Sequence, residues 1–305
     1  MTPENQTAFY CSECSRAAGE SLAGTAAHAD VWMLLEYDGA WGAKTPEDSQ
    51  LSPTLKKHIG NWLQNIPNAK FTFIRQREDV DPGREQIRLF VARSLEITPE
   101  LYRIDLSSYD ELLDLDLAGV ALGAPEAVEY LTDERLFAVC TNGRRDISCA
   151  KYGAPVYDAL RAQLGATVWQ TTHIGGHRFA ATLVSFPDGV VYGYIDPDDV
   201  SRLIMTRDED RVWIEKMRGR TCYSEVAQAA DIFLRQARGI RDLPGVRYVQ
   251  SQHVEPGLWD IQFETFATGM LSTVRVAQEM TPFEVYKDSD GSGAPIPQFR
   301  LVDIH

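Results

Sequence analysis

The chain has 305 residues, 44% of them hydrophobic, and a formal charge of −14 at pH 7. That length and apolar content build one large core or two ordinary ones and exclude a disordered or fibrous protein. The acidic balance excludes nucleic acid, which needs a basic surface, and suits a basic docking partner. No run of eighteen apolar residues occurs, and the opening MTPENQTAFYCSECSRAAGE has neither a basic nor an apolar leader segment. A soluble cytoplasmic protein with no membrane partner is therefore expected.

In chain order, CSEC (Cys11 to Cys14) comes first, with the C-x-x-C spacing of redox dithiols. It precedes every predicted strand and is not placed at a helix N-terminus that would depress a thiol pKa. A surface pair, or a disulfide formed on oxidation, is expected there. From Val31, VWMLLEYDGAWGAK reads as a strand running into a Gly-containing loop. SPTLKKHIGNWLQNIPNAKFTFIRQ then reads as an amphipathic helix and a strand, and QIRLFVARSLEITPELYRIDLSSYDELL as a hairpin. From Leu136 the same shapes return in LFAVCTNGRRDISCAK, GAPVYDALRAQLGATVWQTTHI and HRFAATLVSFPDGVVYGYIDPDDVSRLI. In the last of these, Pro187-Asp188-Gly189 predicts a tight turn, because Gly supplies the positive φ that such a turn wants.

Both halves thus read β-α-β-β-helix, the order of a thioredoxin-like unit. The predicted fold is α/β, with tandem thioredoxin-like units arising by internal duplication and a small C-terminal β extension. The expected divisions are 1–130, 131–240 and 241–305. RVWIEKMRGRTCYSEVAQAADIFLRQARGI predicts one long helical stretch, with Ala227, Ala230, Phe233 and Leu234 on a packing face and Cys222 packed near its start. VRYVQSQHVEPGLWDIQFET and FEVYKDSDGSGAPIPQFRLVDI alternate like strands and supply the extension.

Two of the five cysteines, Cys140 and Cys149, and two of the six histidines, His173 and His177, fall in the two loops that follow the second half's first two strands. Laying Gly39 on Gly143 sets Glu36 opposite Cys140, and FIRQREDV stands where HIGGH stands, so all four belong to the second half alone. A requirement of the fold would be met in both halves; a set found in one points to chemistry. Thiolate and imidazole donors suit zinc or an iron-sulfur cluster, not calcium or magnesium. Eight residues between the cysteines make a wider loop than the usual zinc knuckle and can wrap a larger object. HIGGH has the i, i+4 spacing of a metalloprotease helix, but Ile174 stands where its general base would be. Gly175 and Gly176 are expected to let the backbone pass close to a cofactor. His28, His58, His253 and His305 have no partners in sequence and receive no role.

CTNGRRDISC together with HIGGHRFAATLVSFPDGVVYG, RGRTCYSEVAQAA and the opening GESLAGTAAHADVWMLLEYDGAWG resembles the sucrase/ferredoxin-like proteins. The resemblance covers most of the chain up to about Gly239. It implies a thioredoxin-like fold and a 2Fe-2S cluster held by Cys140, Cys149, His173 and His177, with one loop offering both cysteines and the other both histidines. It also implies an electron carrier rather than a catalyst, with a redox partner protein such as a flavin reductase. The family's sucrase label would need two flanking carboxylates, and no pair stands out. With neutral histidines such a core is neutral when oxidised and singly negative when reduced. Its potential should therefore lie well above the roughly −400 mV of plant-type ferredoxins. Proton-coupled redox is expected, with the midpoint potential falling as pH rises through the ligand histidines' oxidised-state pKa. Arg144, Arg145, Lys151 and Arg178 would form a positive rim. The alternatives are a structural zinc at the same four residues, or a thiol-disulfide oxidoreductase using Cys11 and Cys14.

Overall fold

The computed structural model describes residues 9–77, 86–289 and 291–305. The last part of FIRQREDV, from position 78, lies outside the described residues. The first half contributes β1 (Val31–Glu36), β2 (Ala69–Arg75), β3 (Ile87–Arg93) and β4 (Glu100–Leu106), and the short β5 (Leu131–Thr132), just past the expected boundary at 130, pairs with β4. The second contributes β6 (Leu136–Cys140), β7 (Val168–Thr171), β8 (Leu183–Phe186), β9 (Val190–Tyr192) and β10 (Met217–Arg220). All ten make one mixed sheet in the order β10-β9-β8-β6-β7-β2-β1-β3-β4-β5.

Each half runs its strands alike. β1 is parallel to β2 and antiparallel to β3, which pairs antiparallel with β4. β6 is likewise parallel to β7 and antiparallel to β8, which pairs antiparallel with β9. A helix crosses between the parallel strands in each case, as the parallel pairing requires. After α1 (Cys11–Ala18), these are α2 (Pro53–Asn65), N-capped by Ser52 with proline just inside, and, beyond the short α3 (Leu117–Leu122), α4 (Ile147–Leu164), N-capped by Asp146. The halves meet where β2 and β7 pair antiparallel through Ile74–Thr171 and Arg75–Gln170.

Strand periodicity divides the core. Met33 and Leu35 pack with Leu55, Ile59 and Trp62 of α2, and Phe137 and Val139 with Val156 and Leu160 of α4. The alternate residues Trp32, Leu34, Leu136, Ala138 and Cys140 meet in a core shared by both halves. Cys140 is therefore buried by the register that buries Ala138. Among the described residues no helix is long and apolar enough to cross a membrane.

The long helix expected over residues 211–240 is corrected. The chain there forms β10, then the helix Glu225–Arg238. The apolar-charged alternation MRGR is a buried strand whose two arginines find carbonyl and hydroxyl acceptors inside the protein, Arg220 through its Nη2 alone, which helical spacing does not reveal. Ala227, Ala230 and Leu234 do face a core, formed with Ile261, Phe263, Val274 and Val276 of a four-stranded antiparallel sheet made by Val246–Glu255, Leu258–Thr265, Met270–Met280 and Pro297–Ile304. Its third strand was not among the predicted ones. Cys222 packs against this core, and burial pushes its thiol up to about 12. CSEC is corrected too: Cys11 opens the helix Cys11–Ala18 and is fully buried, so the two do not form a surface pair.

Candidate metal centre

Cys140 ends β6, and its N–H donates to the Thr182 carbonyl at 3.0 Å. Cys149, expected in a loop, sits instead in the first turn of α4, where the side chain of Asp146 accepts from the Ser148 N–H at 2.8 Å. Both cysteines are 1% exposed. Gly153, one turn further along α4, explains how the helix comes so near the strand end: a Cβ there would lie 2.0 Å from the Cys140 carbonyl oxygen. Half-buried His173 follows β7, its Nδ1 4.0 Å from the Cys149 sulfur. The donor atoms of Cys140, Cys149 and His173 lie within 4.8 Å of one another.

His177 stands beside this trio, its ring centroid 5.2 Å from that of His173. Its Nε2 is directed away, to the carbonyl of Lys287, with Asp288 Oδ1 at 3.4 Å and Asp146 Oδ2 at 3.8 Å. Its Nδ1 is buried without a hydrogen-bond partner among the described residues. A metal-bound histidine typically donates its second ring N–H to a carbonyl or carboxylate. His177 has that second partner in place and an orphaned nitrogen left over, so the four residues suit a bound metal centre.

The electrostatics favour one thiolate. A hydrogen bond from the Cys149 thiol, with His173 nearby, outweighs burial and holds Cys140 well below the usual thiol range. The Cys149 thiol is pushed up, by donating to Cys140 and by burial. Burial lowers the pKa of His177 against the pull of Asp146. Burial also raises the Asp146 carboxyl, but bonds from Ser289 and Ser148 outweigh it and leave the group below its ordinary range.

The residues around the four come from far along the chain. Buried Cys11 places its sulfur 3.8 Å from Asp146 Oδ1 and 3.6 Å from Ser148 Oγ, and Cys11, Asp146 and His177 form a second close group of donors. That group is already engaged. Ser289 gives Asp146 two hydrogen bonds, from N at 2.9 Å and from Oγ at 2.8 Å, and its Oγ accepts from the Cys11 N–H at 3.2 Å. Burial raises the Cys11 thiol, the opposite of an activated nucleophile. The C-terminal extension, with no role readable from its sequence, thus closes over His177 through residues 287–289. Ser289→Ala should cost about 1.5 kcal/mol, the usual size of a hydrogen bond to a charged group, and lower the urea midpoint; an unchanged midpoint would show this segment to be loosely held.

Two further expectations change. The positive rim is largely neutralised, because Arg145 pairs with Asp288 at 3.1 Å, Lys151 with Glu13 at 2.9 Å and Arg178 with Glu20 at 2.7 Å. Gly175 and Gly176 do adopt positive φ, at +95° and +71°, but the group crowding Gly176 is the Arg218 guanidinium rather than a cofactor. Asp146 and Arg218 were not predicted, and Cys11 was expected only as part of a dithiol with Cys14. Only Asp146 left a local signal, since Asp-x-Ser before an amphipathic run is an N-cap pattern.

Residues 22–219 match the model of the family described as sucrase/ferredoxin-like. The chain belongs to that family. Among curated proteins, this sucrase/ferredoxin-like chain is 29% identical over 192 residues to altered inheritance of mitochondria protein 32 of the yeast Meyerozyma guilliermondii. That alignment covers 55% of this chain and 66% of the yeast protein, just under two thirds of the relative's length. Among solved structures, the thioredoxin-like 2Fe-2S ferredoxin of Aquifex aeolicus matches at 23% identity and a TM-score of 0.23, over 26% of this chain and 83% of that one. A cysteine-to-serine variant of the same ferredoxin matches at 22% identity and a TM-score of 0.23, over 25% of this chain and 87% of that one. The family match ends before residues 287–289, so the segment that closes over His177 lies outside it.

Proposed function

We propose that the protein is an electron carrier holding a 2Fe-2S cluster through Cys140, Cys149, His173 and His177. The observation that carries this reading is the meeting of two buried cysteines and His173 beside a histidine whose second nitrogen is already anchored and whose first has no partner. When bound, the cluster would supply a one-electron couple. The chain's own contribution is a dry setting, since Cys140 and Cys149 belong to the core shared by both halves, together with Trp169 and Ile174. There a unit of charge is screened less than at the surface. His173, the more exposed of the two histidines, is the ring through which a proton coupled to reduction would reach water. A redox protein such as a flavin reductase would be the partner.

We read the two β-α-β-β halves as thioredoxin-like units related by duplication, over residues 1–130 and 131–240, with 241–305 as an added β unit. Their equal strand order supports this. So does the ending of β1 on Glu36 where β6 ends on Cys140; Glu36 accepts from the Arg88 N–H at 3.0 Å in a half without the ligand set.

One observation favours a second reading. Three donors within 4.8 Å of one another also suit a single tetrahedral ion, with Zn–S near 2.3 Å and Zn–N near 2.0–2.1 Å. An anaerobic visible spectrum, oxidised and dithionite-reduced, with iron and zinc counted on the same sample, separates the two. Bands that bleach on reduction with about two irons per chain are the expected result. A colourless protein holding one zinc after reconstitution with iron and sulfide would reject the electron carrier. The dithiol reading is disfavoured by Cys11, buried against Asp146 with a raised pKa; it would be revived by disulfide reductase activity that Cys14→Ser abolishes.

A further inference from the structure

Arg218, in β10, is 1% exposed, and its guanidinium makes no ion pair with a carboxylate among the described residues. Its bonds all go to neutral oxygens. Nη1 donates to the Gly175 carbonyl and the Thr182 hydroxyl, both at 2.9 Å; Nε donates to the Thr25 hydroxyl at 3.0 Å, and Nη2 to the Thr25 carbonyl. Gly175 lies between His173 and His177, and Thr182 is the residue whose carbonyl takes the Cys140 N–H. The guanidinium therefore links the histidine loop to the residue that pairs with Cys140. Space is kept for it: a Cβ on Gly176 would lie 2.2 Å from Nη2, and one on Gly193 would lie 2.9 Å from Cδ.

A buried cation without a counter-ion is costly, and a set of neutral acceptors offsets only part of that cost. Glu20, the carboxylate that acts most on it, is already paired with Arg178 at 2.7 Å. Burial lowers the Arg218 pKa to about 9, which leaves it charged at neutral pH. We infer that Arg218 is a positioning residue that ties the histidine loop to Thr182, the partner of the Cys140 N–H, and that its buried charge, held without a carboxylate, favours added negative charge on whatever the site binds. For a redox centre this deepens the iron-sulfur reading and rests on it: a fixed positive charge stabilises the reduced form more than the oxidised one.

The test uses the full chain, reconstituted anaerobically, with Arg218→Met and Arg218→Lys. With iron content held at the wild-type level, Arg218→Met should weaken reduction at least tenfold, a fall of 59 mV for one electron. Arg218→Lys, which restores the charge without the fork, should recover most of it. A loaded Arg218→Met protein with the wild-type potential overturns the inference. Should Arg218→Met fail to fold, Arg218→Lys decides: near wild-type potential supports the charge, and a tenfold loss overturns it. Amide hydrogen exchange at residues 173–177 in the metal-free proteins separates this inference from the cluster reading. It should quicken in Arg218→Met relative to wild type even if the wild-type protein takes up no iron, because the Gly175 carbonyl loses its donor, and equal exchange would overturn the inference by itself.

Discussion

Replacing His173 and His177 together by cysteine is expected to leave a bound cluster and to lower its midpoint potential steeply, toward the roughly −400 mV of all-cysteine plant-type ferredoxins. Two neutral imidazoles become two thiolates, so the oxidised centre changes from neutral to doubly negative, and an incoming electron meets that charge in a buried setting. His177 is 6% exposed and lies among the buried groups Asp146 and Cys11, so little water is present to screen the change. The anionic Asp146, 3.8 Å from the present Nε2, adds to the repulsion in the variant and deepens the fall. The Lys287 carbonyl would also lose its donor, so iron must be counted before the potential is read. A loaded double variant at the wild-type potential would show that these histidines are not ligands.

The second large effect is expected at Gly153. In an ordinary helix interior, Gly→Ala stabilises by up to about 1 kcal/mol. Gly60 of α2 is such a place, because a Cβ there meets nothing within 4 Å. At Gly153 the sign reverses. The added methyl would sit 2.0 Å from the Cys140 carbonyl oxygen, a backbone atom that cannot swing aside as a side chain can. Relief must come by moving α4 away from the end of β6, and that movement separates Cys149 from Cys140. Gly153→Ala should retain at least tenfold less iron than wild type after identical reconstitution and unfold at lower urea, while Gly60→Ala should hold full iron and unfold at higher urea. Equal iron in Gly153→Ala and wild type would mean that the helix can shift without disturbing the cysteines.

The candidate site was legible in the sequence as a set of residues, because its signals are local. Cys140 closes an apolar strand run, Cys149 lies a fixed distance on, and His173 and His177 follow the next strand. Strand periodicity decides which face Cys140 occupies, and residue type limits what such a set can bind. The helix-and-strand order of both halves was legible for the same reason: hydrophobic period and turn residues are properties of short windows. The errors fell where a short window misleads. MRGR looks like a charged helix surface unless the interior supplies acceptors for two arginines, and those acceptors are Thr25, Gly175 and Thr182 for one of them and the carbonyls of Leu95 and Glu96 for the other. CSEC looks exposed until the partners of Cys11 arrive from positions 146, 148 and 289.

The family, the α/β pattern and the four candidate ligands are written in short stretches of the chain. Only folding brings three of those four together and holds His177 from behind. It also closes the extension over His177 and sets a buried arginine, with no carboxylate partner among the described residues, against the histidine loop. The physical reason is that a ligand's identity resides in its own side chain, whereas its orientation and electrostatic setting come from groups more than a hundred residues away in the chain: Lys287 lies 110 residues beyond His177, and Ser289 lies 143 beyond Asp146. Contacts at that separation have no period and no fixed spacing. They exist only once the chain has folded.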